Sequence, residues 1–430
     1  MMLTRKSFLA GTAAVAATAP FAPSRAQALT LEVYYAFPAF QRFHEPVAAE
    51  FRKLRPDIGI SFRAPAPNYD EGHQTILRQA VANQLPDIFF SGFHLLPELA
   101  RALARRNQIT YLDEFLAAEG PGFAAENYGE RILALGRVDG RQAGLAFNAS
   151  NPISYYNEDL LKRAGVDGAT LTRSWDNVIA AGGKVKALGG DIAGMAYDVH
   201  GWPDGWLFEA MIMQAGGSLL NEAGTAVGFD NEIGLAALRT FRRFVTEGGM
   251  RLMDWDQSRQ QFGAGLTGIY FASPANLAQI TGLVGGKFSL RTTTFPITDP
   301  VRGRIPTGGN GAVILTRDPA RARAAWEYVK FITGPLAQKI VVEMTGYLPV
   351  NLKAAGPEFL GPWYEQNPNA RTPVLQIERA GPWGAYPGGN TVRIWRAQRD
   401  IITAVMRGDV SPEEGLRRIV EQTHAMMRSA

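Results

Sequence analysis

Two hydrophobic periods alternate along the chain. Residues 29–37, LTLEVYYAF, read as a strand. FQRFHEPVAAEFRKLRP then sets Phe40, Phe43, Val47, Phe51 and Leu54 near one face of a helix. DIGISFRA returns to period two, with Ile58, Ile60 and Phe62 on one side. DEGHQTILRQAVANQ predicts a helix, PDIFFSG a short apolar strand, and LLPELARALARR a further helix. Strand and helix signals in such alternation predict a sheet covered by helices, an α/β lobe.

Residues 147–161, FNASNPISYYNEDLL, break the pattern and restart it. Asn148, Ser150 and Asn151 are polar where a buried strand is normally apolar. Pro152 stiffens a crossing, Tyr155 and Tyr156 point to opposite faces of a new strand, and Asn157 caps the next helix. A strand that faces a cleft can be polar without the cost of unpaired burial. Beyond it the strand–helix alternation returns. SWDNVIAAGGKVKALG is a helix capped by Ser174, IAGMAYD a strand, and PDGWLFEAMIMQAGG and NEIGLAALRTFRRFVTEG are helices. GLTGIYFA, KFSLRTTTF and GGNGAVILT are strands, and DPARARAAWEYVKFIT is a helix. The tail predicts two helices with a turn at Gly408-Asp409. No low-complexity linker separates the two α/β regions, so two lobes with structured crossovers and a cleft between them are expected.

Composition narrows the classes. The 430 residues are 46% hydrophobic and 20% charged, ordinary for a globular protein. Residues 1–28 carry a basic Arg5-Lys6 pair, an apolar Ala-rich run and a small-x-small site at Ala26-Gln27-Ala28, the pattern of a secretory signal. Lysine stands where a twin-arginine signal has its second arginine, so Tat and Sec export are both consistent. Removing 1–28 takes away Arg5, Lys6 and Arg25 and no acid. Lys+Arg then falls from 44 to 41 against 40 Asp+Glu, a net charge of +1. A near-neutral mature chain without a basic tract argues against nucleic-acid binding. With no cysteine there is no disulfide, thiolate metal site or lipoprotein anchor, and a soluble periplasmic protein is expected.

Catalytic motifs are missing from the sequence. There is no phosphate loop, zinc signature or Gly-x-Ser-x-Gly elbow, and the five histidines are scattered. Two distant carboxylates of a glycoside hydrolase leave no local motif, so a secreted carbohydrate-active enzyme remains an alternative. A structural module without a small ligand is another. What stands out is aromatic residues beside Gly- and Pro-marked turns: Tyr69, Trp202, Trp206, Tyr347, Trp383 and Tyr386. Such faces cover the C–H surface of a sugar or polyol.

The order and spacing of PDIFFSG, FNASNPISYYNEDLLKRAG, GWPDGW, TGGNGAVIL, TGYLPV and WYEQNP resemble the bacterial extracellular solute-binding proteins that bind carbohydrates for ABC importers. Within that family the chain is most similar to the glycerol-3-phosphate-binding branch. The resemblance implies a type II, maltose-binding-protein-like fold that closes around one ligand and is then recognised by an ABC permease, and it implies that residues 147–161 cross between the lobes as hinge and ligand floor together. No cofactor, metal or enzymatic activity is implied, and a monomer is expected. Expected lobes are 29–147 plus 311–365 and 148–310 plus 366–430. Carried over by motif, the ligand-binding residues are Tyr69, Ser150 with Asn151, Trp202, Trp206, Ser273, Gly308, Gly309, Tyr347 and Arg393, with Arg396 as the alternative arginine. The branch has an acid just after its third strand. Here Phe93 and His94 stand instead, and Phe93 suits a ligand with more apolar surface or a sugar ring. The expected ligand is a glycerol phosphate, glycerophosphodiester or related carbohydrate, with a neutral sugar or oligosaccharide as the alternative.

Overall fold

The computed structural model describes residues 29–201 and 204–428. Residues 1–28, expected to be a secretory signal, and Trp202 lie outside the described residues.

The predicted strands of the first region form one sheet. Leu29–Tyr34 lies between Ile58–Phe62 and Ile88–Gly92, both parallel to it. Ile88–Gly92 is buried along its whole length, which explains its unbroken apolar run, IFF. Its other neighbour is Ile305–Ile314, antiparallel, which also pairs with Leu145–Ser150 and, at its start, with Ala380–Pro382. This ten-residue strand is wholly buried and ties three distant parts of the chain together. The helix Gln41–Leu54 buries Phe43, Val47 and Phe51 of the expected face, while Phe40 precedes it half-buried and Leu54 at its end is exposed. Tyr69–Val81 starts at Asn68, whose side chain accepts from the Glu71 N–H at 2.9 Å.

The second sheet runs in the order Leu290–Thr293, Ile153–Asn157, Thr267–Ala272, Ala193–Tyr197. Ile153–Asn157 is antiparallel to both its neighbours, and Ala193–Tyr197 is parallel to Thr267–Ala272. Helix Trp175–Lys186 begins at Ser174, which accepts from the Asn177 N–H at 3.1 Å, as expected. Asn157 likewise accepts from the Leu160 N–H at 3.0 Å. Helix Trp206–Met213 is buried at every position, so it carries almost no amphipathic signal. The tail forms Thr391–Arg407 and Pro412–Arg428, separated by Gly408 at φ 88°, and both pack on Glu232–Thr246.

The chain leaves the first sheet at Ser150 and enters the second at Ile153, and it returns along Ile305–Ile314. One apolar cluster lies mainly in the first lobe. Another runs from Tyr69, Leu96 and Leu99 of the first lobe to Trp206, Trp383 and Trp395 of the second. The two lobes therefore meet through buried side chains beside the cleft. No described helix is long and apolar enough to cross a membrane.

Candidate functional site

A cavity of about 400 Å³ opens where the lobes meet, within the usual range for small-molecule sites. The first lobe contributes Phe37, Phe40, Arg42 and Tyr69, from the turn after the first strand and the starts of two helices. The second contributes Asp204, Trp206, Trp255, Arg259, Ser273, Asn276, Gln279 and Trp383. Ser150, Gly308, Gly309 and Tyr347 line it from the crossing segments.

The glycines of the crossing strand have steric reasons. Gly309 has φ +116°, and a Cβ there would sit 2.2 Å from the Asn148 carbonyl oxygen. Only glycine fits that backbone. A Cβ on Gly308 would press to 3.1 Å on both Ser150 Oγ and the Trp206 ring, so its absence lets the indole lie against the strand. The Trp206 indole N–H donates to the Pro306 carbonyl at 3.2 Å, and its backbone N–H donates to Asp204 Oδ1 at 2.9 Å. Both bonds fix the ring where it walls the cavity.

On the opposite wall, Tyr69 accepts from Asn310 Nδ2 at 3.1 Å and meets Phe37 edge-on at 4.9 Å. Phe37, which lines the cavity, has φ 68°, a left-handed conformation that costs a non-glycine residue energy. Burial pushes the Tyr69 and Tyr347 phenols up from their ordinary value, so both stay protonated and can donate. Ser273 Oγ accepts from the Ala275 N–H at 3.2 Å, and Tyr155 donates to the Ser273 carbonyl at 2.7 Å. Trp255 opens a helix whose Asp254 and Gln257 form a capping box. The Arg259 guanidinium carbon sits 4.8 Å over the Trp255 ring.

Seven residues expected from the sequence thus share one cavity: Tyr69, Ser150, Trp206, Ser273, Gly308, Gly309 and Tyr347. Four described ones do not line it. Phe93 is buried in the first lobe's core, where its backbone N–H donates to the Gly309 carbonyl. Asn151 donates to the Pro306 carbonyl at 3.1 Å and to Thr307 Oγ1 at 3.2 Å, so it ties one crossing strand to the other. Asn148 is also buried and accepts from the Asn310 N–H at 3.0 Å. The polar character of this stretch therefore comes chiefly from strand-to-strand bonds; Ser150 alone of the three reaches the cavity. Arg393 and Arg396 are exposed on helix Thr391–Arg407 and are not part of the wall.

The cationic groups on the wall are Arg42 and Arg259, which sequence reasoning missed. Arg42 follows the predicted helical stripe without belonging to it, and Arg259 sits in an otherwise polar helix. Burial lowers the Arg42 pKa, with Tyr347 a smaller opposing influence. Trp383 was visible as a turn aromatic. It packs on His94 of the first lobe at 3.6 Å between ring centres and stacks on Trp395 at 6.2 Å. Glu209 holds its loop: both carboxylate oxygens accept from the Gly384 N–H, at 2.9 and 3.2 Å, and burial pushes this acid up to about 8.

Two α/β lobes joined by crossing strands around an aromatic cleft define a solute receptor. The profile of the bacterial extracellular solute-binding proteins matches residues 37–339, and the chain belongs to that family. The sn-glycerol-3-phosphate-binding periplasmic protein UgpB of Agrobacterium fabrum is 24% identical over 400 residues, covering 90% of this chain and 89% of the relative. The protein of that name from Rhizobium meliloti is 24% identical over 340 residues, covering 76% of this chain and 78% of the relative. Among solved structures, UgpB from Mycobacterium tuberculosis in complex with glycerophosphocholine superposes with a TM-score of 0.78 at 20% identity, over 93% of this chain and 98% of that one. The cyclic alpha-maltosyl-1,6-maltose binding protein from Arthrobacter globiformis gives 0.75 at 20% identity, over 94% and 100%. These neighbours share the two-lobe fold.

Proposed function

We propose that the protein is the periplasmic receptor of an ABC importer, capturing a glycerol phosphate ester, foremost a glycerophosphodiester, by closure of its lobes. The observation that carries this reading is the wall itself, which combines aromatic faces with two guanidiniums and a single carboxylate among its described residues. Aromatic faces suit the C–H surface of a polyol or an alkylammonium headgroup. Guanidiniums and protonated phenols suit phosphate oxygens. The relatives named for sn-glycerol 3-phosphate and the neighbour that holds glycerophosphocholine support the same class.

In this reading the lobes comprise 29–147 plus 311–365 and 148–310 plus 366–430. Bending is confined to the crossings near Ser150–Ile153 and Ile305–Ile314. The ligand's preference for the closed form supplies the bias, and the closed form is what the permease recognises. The segment 1–28 directs export. A neutral oligosaccharide is the second reading, favoured by the breadth of the aromatic surface. A glycoside hydrolase needs a pair of carboxylates across the bond it cuts, and Asp204 is the one carboxylate on the described wall.

Thermal melting with glycerophosphocholine, glycerol 3-phosphate and maltose tests the reading. A ligand at one hundred times its dissociation constant stabilises the native state by about 2.7 kcal/mol, so a saturable rise in melting temperature is expected with the phosphate esters. A rise with maltose alone would replace it by the second reading.

A further inference from the structure

The two arginines on the wall share an unusual feature. Each has an Nε–H that is buried without an acceptor. Arg42 comes from the first turn of Gln41–Leu54 in the first lobe, and Arg259 from Trp255–Gly263 in the second. Arg259 is only 7% exposed. Its Nη2 donates to Asp256, a carboxylate that is itself largely solvent-exposed, while its guanidinium plane rests on Trp255. Among the described residues no carboxylate forms an ion pair with Arg42. A buried donor without an acceptor is costly, and more so on a charged group. Two such donors on one cavity, from opposite lobes, point to an acceptor between them.

We infer that Arg42 and Arg259 form a two-lobe anion clamp, and that the ligand's phosphate group is the charge that holds the lobes closed. This rests on the receptor reading above and deepens it. With the cleft empty of anion, like charges on opposing lobes oppose closure. An anionic phosphate ester accepts from both guanidiniums and reverses the sign of that interaction. The ligand's charge, and not only its shape, then selects the closed form. The clamp also assigns the anion-binding role to residues other than Arg393 and Arg396, whose helix leaves both in solvent.

Calorimetric titration of the mature chain with glycerophosphocholine, glycerol 3-phosphate, glucose 1-phosphate, inorganic phosphate and maltose tests the clamp. The variants are Arg42→Gln, Arg259→Gln, Arg259→Lys and Arg393→Gln, each checked for wild-type melting. Losing a hydrogen bond to a charged group predicts at least a tenfold weaker affinity for the phosphate ester in each Gln variant. Arg259→Lys should recover part of that loss, and Arg393→Gln should stay within about threefold of wild type. Folded Gln variants that bind the ester as wild type does would overturn the clamp. A ligand-free glycerol series with arginine-dependent binding of glucose 1-phosphate or inorganic phosphate would refute the glycerol reading and leave the clamp standing. Arginine-independent binding of maltose alone would refute both.

Discussion

The two walls of the cavity are built differently. The first lobe supplies Phe37, Phe40 and Arg42 from six consecutive positions, with Tyr69 added from the next helix start. The second lobe assembles Trp206, Trp255, Arg259, Ser273 and Trp383 from four segments far apart in sequence. One wall is a local turn held by its strand and helix. The other depends on tertiary bonds such as Trp206 Nε1 to Pro306 and Glu209 to Gly384. The crossing strand with Gly308 and Gly309 belongs to both. Binding geometry on the second wall should therefore be more sensitive to single changes than on the first.

The largest effect should come from the element both walls share. Gly309→Ala would place a methyl group against the Asn148 carbonyl in a left-handed backbone. A destabilisation of about 3 kcal/mol or more is expected, read by chemical denaturation. Wild-type stability in this variant would mean that the strand crossing has slack on which neither wall depends.

Next comes a direct comparison of the walls. Trp206→Ala removes a buried face fixed by two hydrogen bonds and should weaken binding of glycerophosphocholine by about 2–4 kcal/mol. Phe40→Ala removes a partly buried ring from the local wall, and a loss of about 1 kcal/mol is expected. Equal losses in titration calorimetry would erase the distinction.

The smallest effect is a pH dependence where the walls touch. His94 of the first lobe is buried against Trp383 and Trp395. Burial holds its pKa well below the ordinary value, with His73 lowering it further. An imidazole with a depressed pKa in the closed state favours closure above about pH 6.5 and loses that contribution as the pH falls. The neighbouring charged groups are Asp70, His73 and Glu98 from the first lobe and Arg396 from the second. Burial pushes Asp70 up to about 6, with Arg396 and His73 opposing, so Asp70 works in the other direction below that pH. With both groups counted, affinity should fall about twofold from pH 7.5 to 6 and then flatten as the two effects cancel. His94→Leu should abolish the fall; a wild-type profile in that variant would remove His94 from the contact.

Much of this architecture was legible in the sequence, for reasons visible in particular elements. Gln41–Leu54 and Glu232–Thr246 lie half in solvent, so their periods show which face is buried. The caps Asn157 and Ser174 are local chemistry and were readable for that reason. The short helices Asp113–Ala118, Phe123–Asn127 and Gly129–Ala134 span too few residues for a period to emerge. Seven residues of the cavity wall followed from family motifs. Arg42, Trp255 and Arg259 did not, because what makes them wall residues is the meeting of two lobes, which no local pattern records. Asn151 was misplaced for the converse reason: its polarity is local, but its partners Pro306 and Thr307 lie on the returning strand.

Lobe closure on a phosphate ester is the central claim, and small-angle scattering with and without saturating glycerophosphocholine tests it most directly. The account predicts a smaller radius of gyration with the ester bound, and no contraction with maltose. An unchanged radius at calorimetrically verified saturation would contradict it.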